Sequence, residues 1–291
     1  MSVQFIAEVS SNHQGSLERC LAFVDKAAEI GADAVKFQLF RIDEMFAPEI
    51  LARSDRHRAR RAWELPPAFL PAIAARARAA GVAFSCTPFH LGAVAALEPH
   101  VAFYKIASYE LLWDDLLRAV ARTGKPLVLS TGMATLDEVL HARDVVREAG
   151  ARDVTFLHCV SAYPMPRGEA NLAAIATLRE ATGCKAGWSD HSVDPFIVHR
   201  AVGHWGASAV EFHLDLEGAG AEYEGGHCWL PERIAEVIAE VRSGAGHPTD
   251  ASADGSGEKS PSASEMPERV WRADPSDGLR PFRSIRAGWR P

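Results

Sequence analysis

Short apolar runs alternate along the chain with polar turns and amphipathic stretches. The first run is Phe5 to Val9. Residues 16–30 follow, with Leu17, Leu21, Val24 and Ala28 on one face at helical spacing. The same unit then recurs. Runs at 34–37, 82–85, 103–106, 126–129, 154–157, 185–188 and 208–211 read as strands. Helices are expected at 68–80, 113–122, 171–182, 195–203 and 230–243, with a short one after the third strand. The helix after the fifth strand opens on a capping box, Thr135 to Glu138, and stops at Gly150. A long segment, 39–65, separates the second strand from its helix.

Consecutive strand-then-helix units imply parallel strands joined by right-handed crossovers. Eight such units are the number that closes a barrel. The predicted fold is α/β, a (β/α)8 TIM barrel over residues 1–243 with a short C-terminal extension. An open doubly wound sheet is the alternative, but no glycine-rich phosphate fingerprint follows the first strand. From about residue 244 the composition turns to Ser, Gly, Ala, Asp and Pro, so 244–268 reads as a flexible linker. Residues 269–291 are basic and carry Trp271, Phe282 and Trp289. They form either an arm that packs on the barrel and presents an arginine to a site, or a disordered solubilising tail.

Composition narrows the function classes. A chain of 291 residues, 47% hydrophobic, suits one large domain. Its net charge of -7, with both signs interspersed, leaves no footprint for nucleic acid. No apolar run of about 18 residues is present to span a membrane. The start, MSVQFIAEVSSN, lacks a basic region before an apolar stretch, so no signal peptide is expected. Five cysteines are an odd count with no CxxC pair, and Cys86, Cys159 and Cys184, in or near strand-like runs, read as buried free thiols, which suits a cytoplasmic protein.

Barrel enzymes hold their chemistry at the C-terminal strand ends. There the chain places Glu8, Lys36 with Gln38, Thr87, Lys105 with Glu110 just beyond, and Ser130. It continues with His158 and then Ser161 and Tyr163, with Ser189 and His191, and with Glu211 and His213. Two lysines among hydroxyls suit a phosphate. Two histidines on adjacent strand ends suit a first-row divalent metal. Carboxylates at Glu8 and Glu110 can serve as acid, base or hydroxyl acceptors. Surface lysines and structural histidines are the plain alternatives. Lys36 and Lys105 sit inside apolar runs, where a solvated lysine is out of place. His158 reads as core.

The motifs in order are IAEVSSNHQGS (6–16), GADAVKFQ (31–38), SCTPF (85–89), YKIAS (104–108), GKPLVLSTGMAT (124–135), LHCVSAYP (157–164), NLAAI (171–175), GWSDHS (187–192) and GASAVEFH (206–213). Together the chain resembles the N-acetylneuraminate (sialic acid) synthase family. The resemblance implies a synthase that joins phosphoenolpyruvate to a sugar aldehyde, an N-acetylmannosamine-like hexose or related aldose. The product would be a 3-deoxy-2-ulosonic acid, with phosphate released. It implies a divalent metal, Mn²⁺ or Mg²⁺, held by His191 and His213, and a homodimer. By position it implies that Lys36, Thr87, Lys105, Ser130, Ser161 and Ser189 contact phosphoenolpyruvate. The family often has Asn where Ser161 stands. Glu8, Glu110 and Tyr163, with Gln38 beside them, fall on the sugar side, and either Glu8 or Glu110 handles the protons.

Two departures stand out. The resemblance implies a C-terminal antifreeze-like domain whose arginine reads the N-acyl group from the partner subunit. That domain would begin near FRSIRAG (282–288), so the arginine is expected to be missing or replaced. The loop after the eighth strand reads Gly220 to Trp229, with Glu222 in the family's Asp position and His227 a new candidate beside the metal. A metal-dependent aldolase, a 3-deoxy-heptulosonate-synthase-like enzyme and a non-catalytic sugar-phosphate-binding barrel are the competing functions.

Overall fold

The computed structural model describes residues 3–245 and 248–291. Met1, Ser2 and residues 246–247 of the expected linker lie outside the described residues. Eight strands run in parallel: β1 (Gln4–Glu8), β2 (Ala34–Leu39), β3 (Ala83–Pro88), β4 (Phe103–Ile106), β5 (Leu127–Ser130), β6 (Val154–His158), β7 (Lys185–Asp190) and β8 (Ala209–Leu214). Each pairs with the next, and β1 pairs with β8, so the sheet closes. This is the predicted (β/α)8 barrel. A two-residue ninth strand, β9 (Cys228–Trp229), adds on outside β8.

Local chemistry sets the helices that ring the barrel. The helix Leu17–Glu29 starts where the Ser16 hydroxyl accepts from the Arg19 amide. Thr135 and Glu138 form the expected reciprocal capping box before Leu136–Glu148. The segment 39–65 holds three short helices, Ile42–Met45, Pro48–Leu51 and Asp55–Ala59. These close over a second apolar cluster containing Phe40, Phe46, Ile50 and Phe89. Among the described residues no helix is long and apolar enough to cross a membrane.

Strand alternation positions the site. Ile6, Ala34, Phe103, Val128, Leu157 and Ala209 form one buried cluster, an apolar plug inside the barrel. Side chains two apart on a strand share a face. One step further along each strand stand Glu8, Lys36, Lys105, Ser130, Cys159 and Glu211. The plug is tight at β7. A Cβ on Gly187 would lie 2.4 Å from the Ala209 carbonyl oxygen and 2.8 Å from Leu157 Cδ2. Glycine there lets β7 close in, and its next inward residues are Ser189 and His191.

The C-terminal segments lie on the outside of this barrel. Residues 248–268, expected to be a flexible linker, are laid against the outer helices. Leu172 and Leu136 donate backbone bonds to the carbonyls of Ala253 and Lys259. Arg200 Nε donates to Asp254 at 2.9 Å, and Lys259 and Glu265 are buried. The residues from 269 onward pack as an arm. Trp271 stacks on His57 with centroids 5.1 Å apart, and Trp289 meets both rings edge-on. Phe46 and Arg280 form a parallel bridge. Arg272 is fully buried against Glu138.

Candidate active site

The polar layer above the plug opens into a cavity with about 910 Å³ of empty space, its mouth included. Glu8, Lys36, Gln38, Lys105, Ser130, Tyr163, Ser189, His191, His213 and Glu222 all line it. Thr87, Glu110 and Ser161 are not part of the wall. Thr87 accepts from Lys36 Nζ at 3.3 Å. Ser161 Oγ is buried without a hydrogen-bond partner, on the spot a Cβ on Gly132 would need. Glu110 lies behind Arg280, which occupies its carboxylate.

Register explains the charges on the floor. Glu8 is the direct neighbour of Lys36 on β2 and of His213 on β8. Lys36 forms an ion pair with Glu8 and lies 3.7 Å from Glu211. Lys105 lies 3.5 Å from Glu211 and donates to Ser130 Oγ at 2.6 Å. Both lysines are almost fully buried. Burial works against a charge on each. For Lys36 the carboxylates Glu211 and Glu8 outweigh it, and its pKa is raised. For Lys105 burial wins over Glu211, with Lys36 adding to the effect, and its pKa is lowered. Burial likewise opposes charge on Glu211, but Lys105 and Lys36 hold its carboxyl below the usual range.

Three imidazoles gather beside this floor. His191 and His213 have centroids 5.4 Å apart, and His213 and His227 5.0 Å. Tyr163 lies against His191 at 4.3 Å and His227 at 5.0 Å. His191 Nδ1 donates to the Val160 carbonyl at 2.8 Å, so its Nε2 carries the free lone pair. Burial, with His213 beside it, pushes the His191 pKa down to about 3. Donor atoms of His213, Glu222, His227 and Cys228 lie within 4.8 Å of one another, a group that could hold a metal ion. Glu222, expected in the family's Asp position, accepts from the Ser11 amide at 3.1 Å and lies 3.4 Å from His213 Nδ1. Asp190 points away from the cavity. It accepts from the indoles of Trp188 and Trp229 and from Ser192, and so fixes the turn that carries His191.

Known proteins resemble this chain in sequence and fold. The NeuB family model fits residues 23–248. The chain belongs to the NeuB family. It is 34% identical over 225 residues to the N,N'-diacetyllegionaminic acid synthase of Campylobacter jejuni subsp. jejuni serotype O:2, covering 73% of this chain and 67% of that protein. The crystal structure of the spore coat polysaccharide biosynthesis protein SpsE from Bacillus subtilis superposes with a TM-score of 0.80 at 31% identity. It covers 92% of this chain and 77% of that one. The N-acetylneuraminic acid synthetase of Leptospira borgpetersenii serovar Hardjo-bovis, solved with citrate, gives 0.77 at 30% identity, covering 92% and 90%.

Several residues of this NeuB barrel escaped the sequence reading. Glu211 was visible at its strand end, but only the register Ser189 to Glu211 and the two lysines give it a place. Arg280 lies in the arm, where any of several arginines had an equal claim. Arg60 belongs to a basic run that reads as solvated surface. Glu265 accepts from the amides of Met133 and Ser161, both at 2.7 Å, tying together the loops after β5 and β6. Nothing in the stretch around Glu265 signals that contact.

Proposed function

We propose that this chain condenses phosphoenolpyruvate with a sugar aldehyde, an N-acylated hexose or a related aldose, to give a 3-deoxy-2-ulosonic acid and phosphate. The observation that carries the reading is the pair of buried lysines, Lys36 and Lys105, sharing Glu211 on the floor of one cavity. Two ammonium groups with hydroxyls at Ser130 and Ser189 match the phosphate and carboxylate of phosphoenolpyruvate, with Thr87 holding Lys36 from behind the wall. Membership of the NeuB family supports the same reaction class.

The reaction is stepwise. C3 of phosphoenolpyruvate attacks the aldehyde carbon; the carbonyl π pair moves to the aldehyde oxygen, which takes up a proton to become a hydroxyl, and the new C–C bond leaves C2 cationic. Water adds at C2, and the tetrahedral intermediate expels phosphate by C–O cleavage. Lys36 and Lys105 hold the anion and balance the leaving charge. Glu8 lines the cavity and, held by the Ser10 amide and Gln38, is placed to take a proton from the water. Glu110 is occupied by Arg280, which favours Glu8 in that role. The histidine group fits a divalent cation: His191 offers a bare Nε2, and His213, His227, Glu222 and Cys228 converge. Imidazole and thiol donors favour Mn²⁺ over Mg²⁺, which prefers oxygen. When bound, the ion would polarise the aldehyde oxygen.

The test is phosphate release from phosphoenolpyruvate with Mn²⁺ and a panel of aldoses. One phosphate per molecule of phosphoenolpyruvate consumed, only when an aldose is present, is the expected result. Carbon–carbon bond formation without phosphate would point to an aldolase. Binding of phosphoenolpyruvate without turnover on any aldose would leave a non-catalytic barrel.

A further inference from the structure

The side of the cavity nearest the arm is built from groups that neither the lysines nor the histidines use. Arg60 and Arg280 both line it. Arg280 is held by backbone bonds between its peptide and those of Met45 and Ala47. Its guanidinium donates to Glu110 at 2.9 Å and lies 4.2 Å from the Tyr109 ring centroid. Arg60 lies over Phe46 and Trp63, 5.6 Å from each centroid. Its Nε is buried without a hydrogen-bond partner, and among the described residues no carboxylate pairs with it within 4.0 Å. Burial works against its charge, and Arg280 and Arg56 add to that, with only weaker pull from Tyr109 and Glu268.

Two guanidiniums thus face one side of the cavity; Glu110 pairs with Arg280, and among the described residues no carboxylate pairs with Arg60. Arg60 is half-buried, its Nε shut from solvent without a partner, and an arriving anion would give that cation the charge-assisted hydrogen bonds it lacks. We infer that the acceptor aldose carries an anionic group, a carboxylate or a phosphate, away from its aldehyde, and that Arg60 with Arg280 receives it. Planar guanidinium forks suit both anions by paired hydrogen bonds. This rests on the proposed condensation and names its acceptor class.

Phosphate release from phosphoenolpyruvate is measured with three matched acceptors: N-acetylmannosamine, its 6-phosphate, and the corresponding 6-carboxylate. Wild-type kcat/KM is expected to be at least about tenfold higher for one anionic sugar than for the neutral one, as for one charge-assisted hydrogen bond. Which anion wins separates phosphate from carboxylate. Arg60→Met should cut that ratio by about the same factor, chiefly through KM, and Arg60→Lys should recover part of it. Thermal melts check folding, and Arg60→Gln replaces the Met variant if that one fails to fold. A wild-type preference for the neutral aldose, or a ratio unmoved in Arg60→Met, overturns the inference while the condensation stands. No phosphate release with any acceptor defeats the condensation, and the inference with it.

Discussion

Lys105 shows how a single residue is legible in sequence. A lysine inside Tyr104-Lys-Ile106 has no solvent to turn to, and it is 1% exposed in the barrel. Its hydrogen bond to Ser130 and its distance from Glu211 could not be read, because they depend on which strands are neighbours. Lys105→Met should lower kcat/KM for phosphoenolpyruvate by about 10- to 100-fold, the loss of a charge-assisted contact to a bound anion. Steady-state phosphate release measures it, and unchanged phosphoenolpyruvate binding by calorimetry would refute the role. The histidines carry a second expectation at this scale. A His191→Ala, His213→Ala double variant should lose bound divalent metal after dialysis against the free ion, because it removes one of the four convergent donors, His213, and the bare Nε2 of the neighbouring His191. Metal content equal to wild type would show that the ion sits elsewhere or is not bound. Separate His191→Ala and His227→Ala proteins then tell which ring completes the set. His227 was readable only as a new histidine in a loop, since loop conformation and not periodicity brings it beside His213.

At the scale of elements, the strands and main helices followed from periodicity, with ends displaced by a few residues. Strands β3, β7 and β8 extend further toward the site than their apolar runs, because polar inward residues such as Thr87, Ser189 and His213 continue the ladder. The segment 248–268 was hidden for the opposite reason. It is held by ion pairs and backbone bonds, so its side chains carry little apolar signal. Helix Leu136–Glu148 joins both levels. Its capping Glu138 also pairs with Arg269 and buried Arg272 of the arm. Burial would raise the Glu138 pKa, but the Arg272 hydrogen bond and the Thr135 amide hold it below the usual carboxylate range. A depressed folded pKa contributes stability that is complete above the unfolded value, about 4.3, and is lost as pH falls through the folded one. Glu138→Gln should therefore cost about 1–3 kcal/mol near neutral pH, with the gap to wild type closing below about pH 4. Urea unfolding at a series of pH values checks it. A gap that stays constant into acid would mean that the charge on Glu138 does not fasten the arm.

For the whole molecule, barrel closure was readable because it needs only a count of units and the handedness of crossovers. What covers the mouth was not, because the arm's contacts join residues more than one hundred positions apart, such as Arg280 with Glu110 and Arg53 with the Trp289 carbonyl. The arm brings two things to the barrel. Trp271 and Trp289 cover the cluster around Phe46 and His57, and Arg280 brings a cation to the cavity wall. Truncation after Glu268 separates the arm from the segment 248–268, because Glu265 then stays to hold the loops after β5 and β6. Each large apolar side chain uncovered costs about 1.5–3 kcal/mol when burial is complete, and less for these half-buried indoles. The truncated protein should therefore melt several degrees lower yet remain a barrel by circular dichroism. Its lysines and their carboxylates are untouched, so phosphoenolpyruvate should still bind in calorimetry. Its acceptor side loses Arg280 and the wall behind Arg60, leaves Glu110 buried without its partner, and admits water toward a cationic intermediate. The expected signature is a kcat/KM for the aldose that falls while phosphoenolpyruvate affinity holds. Full stability with an unchanged aldose KM would make the arm a passenger, and loss of both substrates together would make it a general structural support.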